Sequence, residues 1–134
     1  MNSKELCFLT ISEAAALLAP KELSPVDLVE AHLARIADTG EVLNTFVTLL
    51  ADEARVAAKK AESEIQAGRD LGPLHGIPIG LKDLYYTQGI RTTVGSKIMR
   101  DFVPDYDAAV VESFQEAGAI LMGKLQMHEF ALGA

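Results

Sequence analysis

Two short apolar runs, residues 77–81 and 119–123, constrain the fold of this chain more than any other feature. Each is too short for a helix and lacks the alternation of a half-buried strand, so each reads as a strand covered on both faces. Pro78 argues for an edge position or a strand start in the first of them. Between the runs, residues 87–106 carry scattered glycine, proline and polar residues and predict a long ordered loop. Asp107 is positioned to cap a following helix with Val110, Val111, Phe114 and Ala117 inward, and Gly118 closes it. Strand, loop, helix, strand is a βαβ unit, which predicts a parallel pair and a right-handed crossover. One such unit does not complete a core, because its strands need neighbours beside them and helices on both faces. The expectation is an α/β fold, a mixed and largely parallel sheet flanked by helices, cut off inside the domain near Phe130-Ala131-Leu132-Gly133-Ala134.

The first half reads as a helical arm over 1–70, ahead of the α/β core over 71–134, both parts of one domain. Thr10-Ile-Ser-Glu13 has the form of a capping box, and Ile11, Ala14, Ala15 and Leu18 follow on one helical face up to Pro20. Ser24-Pro25 is a second start, a hydroxyl cap before a proline in the first turn, where no N–H is needed. Val26, Val29, Leu33 and Ile36 form its stripe, and Gly40 is expected to end it. Residues 46–50 predict a strand. A third helix over 52–67 places Ala54, Ala58, Ala61 and Ile65 inward, with Gly68 behind it.

Composition excludes several classes of function. Nineteen acidic against twelve basic residues leave a net charge of −7, contrary to the clustered Lys/Arg of nucleic-acid or anionic-membrane binding. No run approaches the about 18 apolar residues of a membrane span. The N-terminus lacks the apolar stretch and cleavage site of a signal peptide, so a cytoplasmic setting is expected. The lone cysteine, Cys7, excludes an internal disulfide and reads as a packing residue.

Among residues that could carry chemistry, Lys82 comes first. It follows the predicted strand directly and so lies at the C-terminal end, where open α/β sheets place their sites. A desolvated lysine loses its proton more easily and can act as a base; the plainer alternative is a lysine that ends the strand by reaching into water. Asp83 would pair with Lys82 or cap the next turn. The glycines at 72, 76, 80, 89 and 95 form no phosphate-loop pattern. The nearest approach, Gly118 to Lys124, has Leu125 where a hydroxyl is needed and strand residues where a flexible loop is needed. His32, His75 and His128 have no metal-ligand spacing, so no metal and no cofactor are expected: His32 belongs on an exposed helix face, the other two in loops. Ser96 suits a turn.

The segment Gly72-Pro-Leu-His-Gly-Ile-Pro-Ile-Gly-Leu-Lys82-Asp83 closely resembles the lysine motif of the amidase signature family. Gly89-Ile-Arg-Thr-Thr-Val-Gly-Ser96, Asp107-Ala-Ala-Val-Val111, Gly118-Ala-Ile-Leu-Met-Gly-Lys124 and Met127-His-Glu-Phe-Ala131 follow in the family's order. Leu125-Gln126 departs from the Thr-Asn of many relatives. The resemblance implies amide hydrolysis by a Ser–cis-Ser–Lys triad, with Lys82 as the base and backbone N–H groups stabilising the oxyanion. The Gly-Ser-rich segment that supplies both serines has no counterpart in the 134 residues, so the chain alone is expected to be inactive. A free-standing amidase and the amidase subunit of a tRNA-dependent amidotransferase both fit. So does a non-catalytic module that completes its sheet with a separate chain or by self-association.

Overall fold

The computed structural model describes residues 1–133 as five α-helices, two short 3-10 turns and a three-stranded sheet. Side chains set the helix starts. α1 (Ser3–Leu6), a single turn not anticipated above, begins at Asn2, whose Oδ1 accepts the Glu5 N–H while the Glu5 carboxylate accepts the Asn2 N–H. α2 (Ile11–Leu18) starts with the expected box: Glu13 N–H donates to Thr10 Oγ1 at 3.2 Å and Thr10 N–H to Glu13 Oε2 at 2.8 Å. Ala14 and Leu18 are buried as expected, whereas Ile11, in the first turn, is exposed.

α3 (Pro25–Leu43) begins where Ser24-Pro25 predicts. Ser24 Oγ accepts the Val26 N–H and donates to Glu62 at 2.6 Å, so one hydroxyl both starts this helix and ties it to the next. Gly40 does not end it. The helix continues to Leu43, and Asn44, in the left-handed conformation, closes it by donating its N–H to the Gly40 carbonyl. A glycine inside a helix costs only about 1 kcal/mol, a loss that tertiary packing absorbs. β1 (Phe46–Leu49) and α4 (Ala51–Gln66) follow as expected. Ala54, Ala58 and Ala61 are buried in one cluster with Val29 and Leu33 of α3 and with Ile120 and Met122. Their short side chains let α4 lie close to its neighbours.

β2 (Pro78–Lys82), α5 (Ala109–Glu116) and β3 (Ile120–Leu125) make the βαβ unit. β2 and β3 pair in parallel from Pro78↔Ile120 to Lys82↔Leu125, while β1 joins the other side of β3 antiparallel, giving a mixed sheet of order β1-β3-β2. The register slips after Ile79, leaving Met122 as an extra residue in β3. Asp107 does not cap α5: Ala108 holds that position, and the Asp107 carboxylate accepts the Gln88 N–H at 2.7 Å and Gln115 Nε2–H at 3.1 Å. The two-turn helix offers one narrow face, so Val111 is buried while Val110 is exposed. β2 is also not covered on both faces. Among the described residues it is an edge strand that buries Leu81 and exposes Gly80 and Lys82, in keeping with Pro78 at its first position.

Gly123 lies where β1 crosses β3. Its φ is +156°, and an added Cβ would collide with the Thr48 carbonyl oxygen and approach Phe46 Cδ1 to 2.8 Å. Gly68 has φ +82° with open space around it. Gly123→Ala should therefore lower unfolding stability by about 3 kcal/mol, through overpacking against backbone, and Gly68→Ala by about 1 kcal/mol, through conformational strain alone. Urea midpoints of the two variants would show that order; equal shifts would contradict it. The free edges of β1 and β2 predict concentration-dependent self-association, which sedimentation velocity would detect. A monomer across the accessible range, with one sharp melt, would contradict that.

Candidate functional site

Lys82 ends β2 at the C-terminal edge of the parallel pair, and its side chain is exposed. Strand alternation sends Leu81 and Asp83 to the opposite face, where both are buried. Asp83 consequently neither pairs with Lys82 nor caps the next turn. Its Oδ2 accepts hydrogen bonds from the Thr93 N–H at 2.9 Å and from the Thr93 hydroxyl. Its backbone N–H donates to the Leu125 carbonyl at 3.2 Å, and its own carbonyl accepts the Val94 N–H at 2.9 Å. The residue after Lys82 is thus fixed from β3 on one side and from the 92–96 loop on the other.

The partner of Asp83 is a lysine that the sequence does not single out. Lys124, paired with Leu81 in the register, is 0% exposed. Its ammonium donates to the Tyr85 carbonyl at 2.8 Å, Thr87 Oγ1 at 3.0 Å and Thr92 Oγ1 at 2.7 Å, which uses all three protons. Asp83 Oδ1 lies 3.4 Å away as counter-charge and receives no hydrogen bond of its own. Burial pulls the Lys124 amine below the ordinary lysine range, and the Asp83 charge opposes that pull without cancelling it. One signal for this site is present in the sequence: a lone lysine inside the apolar run Ile120-Leu-Met-Gly-Lys-Leu125. The strand expected from apolarity stops at Gly123, one residue short of it.

The loop beyond Asp83 is tightly held. Gly95 N–H donates to Thr93 Oγ1 at 3.2 Å, and Val94 adopts φ +55°, a left-handed conformation that costs a β-branched residue about 1–2 kcal/mol. The expected turn role of Ser96 is realised: its Oγ accepts the Ile98 N–H at the start of the 97–99 turn and donates to Glu129 Oε1 at 2.6 Å.

The other candidates are structural. His75 is 3% exposed; its Nδ1 accepts the Leu71 N–H, so Nε2 carries the proton and donates to Glu64 Oε2 at 3.1 Å. His32 is half-buried rather than exposed, with Nδ1 2.8 Å from the Leu28 carbonyl one helical turn back. His128 lies exposed in the 126–132 loop. Residues 118–124 form a turn and a strand, not a phosphate cradle. Cys7 donates its thiol proton to the Ala31 carbonyl at 3.3 Å, and burial pushes that thiol up, with Arg35 opposing. Among the described residues no helix is long and apolar enough to cross a membrane. A cavity of about 350 Å³ between α2 and residues 68–75 lies away from Lys82.

The βαβ unit and the twelve-residue Lys82 segment together mark an α/β family, and comparison with known proteins says which. The Amidase family profile matches residues 27–134, and the chain belongs to that family. It is 47% identical over 132 residues to a glutamyl-tRNA(Gln) amidotransferase subunit of Anaeromyxobacter dehalogenans (strain 2CP-C), covering 98% of this chain and 27% of the relative. Among solved structures, the native peptide amidase of Stenotrophomonas maltophilia superposes with a TM-score of 0.85 at 33% identity, over 92% of this chain and 26% of that one. Fatty acid amide hydrolase shares the fold, with a TM-score of 0.88 at 24% identity over 94% of this chain and 22% of that one. The chain spans about a quarter of the length of the relatives it matches.

Removing the Asp83 charge leaves the Lys124 ammonium buried without a counter-ion, so Asp83→Asn should cost about 3 kcal/mol. Thr93→Val removes one hydroxyl bond and should cost about 1 kcal/mol. Urea unfolding would rank them; equal effects would sink the assignment of Asp83 as counter-charge. The Lys124 shift also fixes a pH dependence. Between the lowered folded value and the ordinary value of about 10.4, the unfolded chain binds the proton more tightly than the folded one. Wild-type stability should therefore rise relative to Lys124→Met as pH climbs through that interval.

Proposed function

We propose that this chain contributes the lysine arm of an amide-hydrolysing site, with Lys82 as the base. The observation that carries the reading is Lys82 itself: solvent-accessible at the C-terminal end of a parallel pair, within a segment that matches the family's lysine motif across twelve residues. The Lys82 amine takes the hydroxyl proton of a bridging serine, which in turn takes the proton of a nucleophilic serine as the latter attacks the amide carbonyl. Backbone N–H groups stabilise the tetrahedral oxyanion. The serines are to come from further polypeptide, in the same reading frame or in a complementing chain. The same polypeptide supplies the pocket walls and more strands of the one domain to which both 1–70 and 71–134 belong.

The likeness to an amidotransferase component supports a role as the amidase part of a multi-subunit enzyme, with a free-standing amidase as the alternative. A lone cysteine and the absence of a long apolar run support a cytoplasmic setting, and the acidic charge supports a small carboxamide rather than nucleic acid as what this segment itself meets.

The test replaces the matching segment of the Anaeromyxobacter relative with these 134 residues. Ammonia release from glutamine is then measured with that enzyme's companion subunits present. The chimera should release ammonia, the isolated chain should not, and Lys82→Ala in the chimera should lower the rate at least 1,000-fold, as loss of one triad member does. Full activity of the Lys82→Ala chimera would overturn the reading.

A further inference from the structure

We propose that Lys124 is a positioning residue for the Lys82 site: from the opposite face of the sheet, its ammonium gathers the chain segments that leave β2 and fixes the backbone from which Lys82 projects. The inference rests on the reading of Lys82 as the base. It starts from a mismatch between energy and placement. A lysine with no exposed surface loses more by desolvation than its single carboxylate at 3.4 Å returns. A methionine would fill the same volume without that loss. What an apolar side chain cannot do is donate three hydrogen bonds in three directions.

The three acceptors are not scattered. Tyr85 O and Thr87 Oγ1 belong to the segment that leaves Lys82, Thr87 bridging to Ile90, and Thr92 Oγ1 opens the loop that returns to Asp83. Asp83, adjacent to Lys82, receives both Thr93 donors on Oδ2 and the Val94 N–H on its carbonyl. Thr87 Oγ1 and Thr92 Oγ1 are also 3.3 Å apart, so the two walls of the network touch. Lys124 Nζ is thus the common point of residues 83–87 and 92–94. Val94, held at φ +55°, shows that the loop is kept in a conformation it would not choose unaided. Residues 83–87 and 92–94 are joined at Asp83, one peptide bond from Lys82. Slack in the network therefore reaches the Lys82 Cα directly, and a reacting amine displaced by about 1 Å loses about 100-fold in rate.

Lys124→Met in the same chimera tests this. The expected result is kcat for ammonia release lowered about 100-fold with KM for glutamine within threefold of the parent. Circular dichroism should show the parent's helical content at the assay temperature. A purely structural lysine would lower the melting temperature while leaving kcat per folded molecule unchanged, and that result would overturn the proposal. If the single variant does not fold because Asp83 is left uncompensated, Asp83→Asn combined with Lys124→Met removes both charges and should show the same kcat loss. Wild-type kcat in the folded double variant, or failure of both variants to fold, would overturn it. Lys82→Ala, run alongside, separates the two ideas. A dead Lys82→Ala with a fully active Lys124→Met refutes the positioning role alone, whereas an active Lys82→Ala refutes the reading on which it rests.

Discussion

The lower end of the sheet depends on where one ammonium group has been put. Lys124 lies in β3, the strand that carries both neighbours, and it faces inward between β2 and the 83–94 segment. Taking an ammonium out of water costs several kcal/mol, and the single carboxylate lies 3.4 Å away without a hydrogen bond to it. That cost is tolerable only because three oxygens meet its protons with good geometry. The acceptors come from a stretch with little regular secondary structure of its own, so the lysine substitutes for the ladder that a strand or helix would have provided.

The pleat then sorts chemistry by face. Successive residues of β2 point in opposite directions, so Lys82 and Asp83 are neighbours in sequence with opposite surroundings, one wet and one dry. Two lysines that serve the same strand end are kept on different sides of it.

What is legible in the sequence is what is decided locally. The Thr10–Glu13 box, the Ser24-Pro25 start and the alanine face of α4 follow from residues within a turn or two of one another, the βαβ order follows from the succession of such local patterns, and the structure has them all. What is not legible depends on distant chain. Gly40 looks like a helix stop until Asn44 proves the better left-handed residue. Asp107 looks like a cap until Gln88, far back in sequence, takes its carboxylate. β2 looks covered because its residues are apolar, yet cover is a property of neighbours. In the candidate site, Lys82 can be singled out from the strand before it, whereas Lys124, Thr87 and Thr92 become one cluster only once β3 lies against β2.

The strand order carries a consequence for synthesis. Of the three strands described, the middle one is made last: β1 and β2 both pair with β3 and not with each other. As the chain leaves the ribosome, helices α1 to α4 can form, but neither earlier strand has a partner until residue 125 has emerged. Through that interval two strands wait with every ladder group open, one of them bearing Phe46 and Val47, the other Ile79 and Leu81. Joining these three strands through the one at their centre makes folding depend on long-range contacts, which form slowly and reward nothing before they form. Pro78, which has no N–H to offer a stray strand, stands at the mouth of β2 for the whole of that wait.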